Sequence, residues 1–254
     1  MISNIKIIDT HCHIEQSEFD EDRDEVISRA QNLGVHIITS AIYPESWSKA
    51  TEISKKYGNV SLSIGLDPAQ YQLYQDAINW ISDNKPPIIA IGEVGLDHFY
   101  IRDHTEREKQ EQAFIAFIAL AKDLKIPIQI HSRSAGRRAL ETLERQAATE
   151  VHMHAFDGKA SLARVASKDL GYYFSIPTSV VRSPQKRKLV KAVEIERLLF
   201  ETDSPVLGPE RTERNEPGNV ETVLKETAAI LQREKEELRE IVLENTFRLY
   251  RQLR

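Results

Sequence analysis

Eight short apolar runs, rich in β-branched residues, recur along the chain, and the segments between them carry helical spacing. The runs are IKIID (5–9), VHIITSA (35–41), VSLSIG (60–65), PPIIAIGE (86–93), IPIQIH (126–131), TEVHMH (149–154), GYYFSI (171–176) and RLLFETD (197–203). Segments such as FDEDRDEVISRAQNLG, ESWSKATEISKKYG and HTEREKQEQAFIAFIALAKDLK place apolar residues three or four apart, as an amphipathic helix does. Strands that alternate with helices imply a parallel sheet of the α/β class. Eight of them favour closure into a TIM-type (β/α)8 barrel over an open doubly wound sheet. No linker divides the sequence, so residues 1–254 are expected to form a single domain. Gly34 and Gly58 stand where helix stops belong, and residues 219–253 read as wholly helical, completing the outer ring.

Composition narrows the function. A hydrophobic fraction of 41% and a charged fraction of 29% belong to a globular protein, and no apolar run reaches the roughly 20 residues of a membrane helix. Asp9, His11 and His13 interrupt the N-terminal apolar stretch, so it does not read as a secretory signal. The single cysteine, Cys12, excludes an internal disulfide framework. A cytoplasmic protein is expected. The net charge of −5 gives no global attraction to nucleic acid, and contact with a strand would need a local basic surface. No Gly-rich phosphate loop is present, which argues against a nucleotide cofactor.

Five of the eight runs end in a possible metal ligand: His11 with His13, then Glu93, His131, His154 and Asp203. In a barrel of this kind the C-terminal ends of the strands form the active-site face, so these residues converge there. Side chains alternate on a strand, which turns His11 and His13 to one side and Cys12 to the other. Six donors exceed the three protein ligands that a catalytic zinc commonly uses. Two divalent ions are therefore expected, bridged by the two oxygens of Glu93, with Asp203 placed to orient or deprotonate a water between them. Mixed imidazole and carboxylate donors suit Zn, Mn or Mg alike.

With these residues in place, the sequence resembles the TatD family of metal-dependent deoxyribonucleases and hydrolases, within the amidohydrolase superfamily. The resemblance rests on IDTHCHIE (8–15), IGEVGLD (91–97), QEQAFIAFIALA (110–121), IPIQIHSRSA (126–135), HAFDG (154–158), LLFETDSPVL (198–207) and RNEPGNV (214–220). It implies that His11, His13, Glu93 and Asp203 hold one ion, and that Glu93, His131 and His154 hold the second. It further implies that Arg133 contacts substrate phosphate, and that the reaction is phosphodiester hydrolysis, often 3′ to 5′ on single-stranded DNA or oligonucleotides. Two stretches depart from the family pattern: Ala155 and Asp157 replace a cysteine and a serine, and Ser134 stands where an aspartate is common. These changes bear on substrate preference, since Asp157 adds negative charge near an approaching phosphate.

Other residues admit two readings. His152 is either a partner that orients a ligand or a buried barrel histidine, and Glu201 stands in the same relation to Asp203. Asp97 and His98 follow Glu93 on its loop, His98 reading as a solvent-exposed residue. His36 and His104 need no functional role, and Thr105 is a candidate cap beside His104. The stretch RSPQKRKLVK (182–191), with Arg133, Arg137 and Arg138, reads either as a backbone track or as a solvated helix face. The alternative to nuclease action is a metal-dependent amidohydrolase, esterase or lactonase acting on a small molecule. A non-catalytic scaffold that keeps the barrel is a further alternative, which the full ligand set argues against.

Overall fold

The computed structural model describes residues 5–254, so the first four residues of the expected 1–254 domain lie outside it. Its eight strands are β1 (Ile7–Cys12), β2 (Val35–Ala41), β3 (Val60–Ile64), β4 (Ile88–Gly95), β5 (Ile128–His131), β6 (Val151–Met153), β7 (Tyr173–Ile176) and β8 (Leu198–Phe200). They hydrogen-bond in chain order and all pair in parallel, as an α/β barrel requires. The helices are α1 (Arg23–Leu33), α2 (Pro44–Lys56), α3 (Tyr74–Asn84), α4 (His104–Leu124), α5 (Gly136–Arg145), α6 (Ala160–Asp169), α7 (Pro184–Val190), α8 (Val220–Leu231) and α9 (Lys235–Leu249). The strands are buried on both faces because helices cover the outside of the ring and side chains, some of them polar, fill the inside. Ile37, Leu62, Ile91 and Phe174 are fully buried on this account.

Three local expectations are corrected. Residues 219–253 are mostly but not wholly helical, because Gln232 adopts φ 54° and caps α8, and α9 begins only at Lys235. Gly34 does end α1 in the left-handed conformation, but the chain leaves α2 through an extended Tyr57, so Gly58 is not a helix cap. At α4 the capping side chain is Asp103, which accepts from the Glu106 N–H at 3.0 Å, and Thr105 lies inside the first turn.

Two irregularities in register matter for the site. Three steps on β1, from Asp9 to Cys12, face two on β2, and three steps on β4, from Ile91 to Val94, face two on β5. Such bulges re-aim side chains, and the residues they re-aim include His11 and Glu93. Gly92 and Gly95 flank Glu93 with φ near 141° and 144°, and a Cβ on Gly95 would stand 2.2 Å from the His131 carbonyl. Only glycine permits β4 and β5 to approach so closely in that conformation.

The ring closes between β8 and β1 through the site itself. Beyond the short β8, Asp203 N donates to His11 O at 2.9 Å and His13 N donates to Ser204 O at 2.8 Å. Deeper in the seam, buried Asp9 accepts from Thr202 N and Thr202 Oγ1 at 2.8 and 2.6 Å.

Candidate metal centre

All six residues singled out as ligands meet at the C-terminal mouth of the barrel. Glu93, 4% exposed, is central, and its two oxygens face different partners. Oε2 lies 3.2 Å from His11 Nε2 and 3.6 Å from His13 Nε2, whereas Oε1 contacts His131 Nδ1 and lies 3.7 Å from His154 Nε2. Asp203 Oδ1 stands 3.4 Å from His13 Nε2 and 3.8 Å from the Nε2 atoms of His11 and His154. Three donor groups are compact enough to hold a cation: His11, His13 and Glu93; His11, His154 and Asp203; and Glu93, His131 and His154.

The protonation pattern explains why a cation suits this cluster. Burial opposes charge on His13, but its contact with Asp203 and the nearby Glu93 carboxylate outweigh burial and push it up to about 10. His131 reaches about 10 against burial through Glu93 and Asp97, and His154 about 9 through Glu201, Asp203 and Glu93. Burial works against ionisation of Glu93 too, yet His154 and His131 hold its carboxyl well below the usual range. Carboxylates so placed attract either protons or a metal ion, and the two compete. His11 differs: burial and the neighbouring His154 lower it, and its buried Nε2 has no hydrogen-bond partner. An unpaired imidazole nitrogen aimed at carboxylates is the donor that a divalent cation accepts, so the residues fit such an ion.

A chain of hydrogen bonds through the barrel interior presents His11 and His154 in that form. His11 Nδ1 lies 3.0 Å from Gln129 Oε1, whose amide is oriented because Gln129 Nε2 donates to Thr10 O at 3.1 Å and to the Tyr250 hydroxyl at 2.9 Å. The Tyr250 hydroxyl therefore donates onward to His152 Nδ1 at 2.7 Å, and His152 Nε2 donates to Ser175 Oγ at 2.6 Å. Ser175 Oγ donates to Glu201 Oε2 at 2.5 Å, which accepts from His154 Nδ1 at 2.8 Å. Burial keeps His152 neutral by lowering it well below its ordinary value, which this direction of donation needs. Both candidate ligand histidines thus donate from Nδ1 and turn Nε2 to the centre, where a cation would take the place of the proton that His154 otherwise holds. His13 does the same by donating from Nδ1 to Ser40 O at 2.7 Å.

The residues with two readings now separate. Glu201 belongs to the site, holding His154 and accepting from Ala155 N at 2.9 Å, while His152 is a buried barrel residue that reaches His154 only through Ser175 and Glu201. Asp97 orients His131 from 3.1 Å. His98 is half-buried rather than solvent-exposed and lines a neighbouring cleft with Arg137. His36 pairs with Ser61 away from the centre, His104 is exposed on α4, and Cys12 is buried in the core. Sequence reasoning missed Gln129, Ser175 and Tyr250. Gln129 carried a signal, since it is a polar residue in an apolar run two positions before His131.

The mouth above the centre is a cavity of about 570 Å³ whose walls include Tyr43, Tyr100, Arg133, Lys186 and Val206. The basic stretch 182–191 is not one track. Lys186 is buried and donates to the Ala155 and Phe156 carbonyls at 2.8 and 2.9 Å, and Arg187 pairs with Glu226. Arg138 is likewise paired, with Glu111. The added charge of Asp157 is engaged as well: Oδ2 accepts from Ser134 N at 2.7 Å, just ahead of α5.

The profile of the TatD related DNase family matches residues 8–251. Human deoxyribonuclease TATDN3 is 36% identical over 267 residues, covering 99% of this chain and 97% of the relative. The 3′-5′ ssDNA/RNA exonuclease TatD of Klebsiella pneumoniae is 31% identical over 239 residues, covering 88% and 89%. Among solved structures, YJJV, a TatD homolog from Escherichia coli K12, superposes with a TM-score of 0.86 at 26% identity, covering 99% of each chain. A strand-four glutamate between two sets of imidazoles, a match spanning nearly every residue and the shared barrel agree: this chain belongs to the TatD-related DNase family.

Proposed function

We propose that this protein is a 3′-5′ exonuclease that hydrolyses phosphodiesters of single-stranded DNA with two divalent ions. In this reading His11, His13, Glu93 and Asp203 hold one ion, and Glu93, His131 and His154 hold the other. The observation that carries it is the split of Glu93, whose Oε2 faces one pair of histidines while Oε1 faces the second pair. A small-molecule hydrolase would use the same donors, so the substrate part of the reading leans on the named nucleases among the relatives.

Divalent ions held there would neutralise charge on the phosphodiester and raise the acidity of a nearby water. The chain does the rest. Asp203 turns Oδ1 to the histidines and leaves Oδ2 to receive the proton of the attacking water. Asp97 and Glu201 keep His131 and His154 in register while charge develops. Arg133, at the cavity wall, meets a non-bridging phosphate oxygen with its guanidinium edge.

The test is digestion of 3′-labelled and 5′-labelled single-stranded DNA with Mg, Mn or Zn, comparing the native protein with Asp203→Asn. Stepwise, metal-dependent shortening from the 3′ end, reduced by a factor of about 10² or more in the variant, is expected. A protein that binds two ions yet cleaves no DNA with any metal would overturn the reading and direct the search to esters, lactones and amides.

A further inference from the structure

The loop after β4 is tied to the centre at one end and open to solvent at the other. Asp97 uses one carboxylate oxygen to orient His131, and its Oδ1 accepts from the N–H groups of Phe99 and Tyr100, each at 2.9 Å. Arg107 then holds the carbonyls of Ile101 and His98 at 2.7 and 3.0 Å. The main chain here is fixed, and the same carboxylate that sets His131 sets the two aromatic residues. Their rings are nevertheless left in water: Phe99 is 44% and Tyr100 62% exposed.

Arg133 completes the arrangement. Its guanidinium carbon lies 4.0 Å from the centre of the Phe99 ring and 5.0 Å from that of Tyr100, and the two rings meet edge to face at 5.2 Å. Among the described residues no carboxylate lies within ion-pairing distance of Arg133, so stacking holds it while its N–H groups stay available. Tyr100 and Arg133 both line the cavity that contains Glu93 and Asp203.

A solvent-facing aromatic ring beside an unpaired guanidinium, on the wall of the cavity that holds Glu93 and Asp203, matches the base and phosphate of one nucleotide. The geometry points to Tyr100, backed by Phe99 and Arg133, as a stacking platform for an unpaired nucleobase next to the phosphodiester being cut. This rests on the nuclease reading above and adds to it a subsite. Every base has a π-face, so the platform tolerates any sequence but requires a base free of its partner strand.

The experiment couples the side chain to the base. Native protein, Tyr100→Ala and Tyr100→Phe are compared on single-stranded oligonucleotides that are intact or carry one abasic residue at each of the last three 3′ positions in turn. Binding is read by fluorescence anisotropy in EDTA, and KM and kcat are read with the supporting metal. Tyr100→Ala is expected to weaken binding and raise KM between about fivefold and a hundredfold on the intact strand. Tyr100→Phe keeps the native values. At one abasic position the Tyr100→Ala penalty shrinks to less than twofold, because the stacking partner is gone. If DNA is cut but the penalty is the same at every abasic position, the platform is refuted while the nuclease stands. If native protein neither binds nor cuts DNA, both fall together.

Discussion

Removing a single oxygen far from the mouth of the barrel should weaken metal binding. Tyr250 is fully buried, and its hydroxyl accepts from Gln129 and donates to His152, so Tyr250→Phe preserves the packed ring and deletes only the link between them. Gln129 keeps its bond to Thr10 O but is left with one unpaired N–H. His152 must either leave Nδ1 bare or move its proton there, and in the second case it stops donating to Ser175. A buried polar group left without a partner costs about 1–3 kcal/mol. Two such losses, partly relieved, predict a drop of about 3 kcal/mol, or roughly 6–12 °C in Tm for a chain of this size. The second effect is the diagnostic one. When His152 changes tautomer, Ser175 no longer donates cleanly to Glu201, and His154 loses part of its orientation. Partners of metal ligands typically change metal affinity 10- to 100-fold; acting on His154 through three intervening residues, His152, Ser175 and Glu201, this variant should lose a few-fold to about tenfold. Calorimetric melting in EDTA measures the first effect, and titration of the folded variant with Mn or Zn measures the second. A variant that melts early yet binds divalent ions as tightly as the native protein would refute the relay and reduce Tyr250 to a packing residue.

Gly95→Ala should be severe, because its Cβ would meet the His131 carbonyl in a conformation that alanine rarely adopts. A loss above about 2 kcal/mol is expected by denaturant unfolding, and a native-like midpoint would contradict the close approach of β4 and β5. Divalent ions at a hundred times their dissociation constant should stabilise the protein by about 2.7 kcal/mol, and EDTA should reverse this; a Tm that ignores both would count against a cation in the cluster. His36 predicts an acid-side loss of stability. Burial lowers its pKa to about 4, whereas the unfolded chain titrates near 6.5. Between those values the unfolded state takes up a proton that the fold refuses, so stability is full above about pH 6.5 and falls toward pH 4, by at most about 3 kcal/mol. In His36→Gln that decline should flatten, and parallel curves from native and variant protein across the window would exclude His36 as its source.

The strands were legible because parallel-barrel strands are buried on both faces and stand out as apolar, β-branched runs. Convergence of the ligands followed from their shared position at the ends of those runs. What stayed hidden depended on register. The bulges at Asp9–Cys12 and Ile91–Val94 are properties of two strands together, and neither strand alone displays them. Tyr250 was hidden for a different reason: it follows an amphipathic helix, where an aromatic residue signals packing, and its partners are 98 and 121 positions away. Glu201 and Asp97 could be suspected from proximity to ligands, but only the contacts to His154 and His131 decided their roles. The break at Gln232 was not legible, since glutamine is an ordinary helix residue that here takes the left-handed conformation without glycine.

The seam between β8 and β1 gives the barrel an uneven resistance to breathing. β8 is only three residues long, and beyond it closure depends on the backbone bonds that place Asp203 and His13 side by side. Any fluctuation that opens the ring there also spreads the ligands on either side of the gap. An ion gripped by His11, His13, Glu93 and Asp203 would lash the first, fourth and eighth strands together across the lumen, like a clasp on a hoop. Slowed amide hydrogen exchange on cation addition should then concentrate at the His13 and Asp203 N–H groups, while those of the outer helix α3, which supplies no residue to the centre, keep their pace.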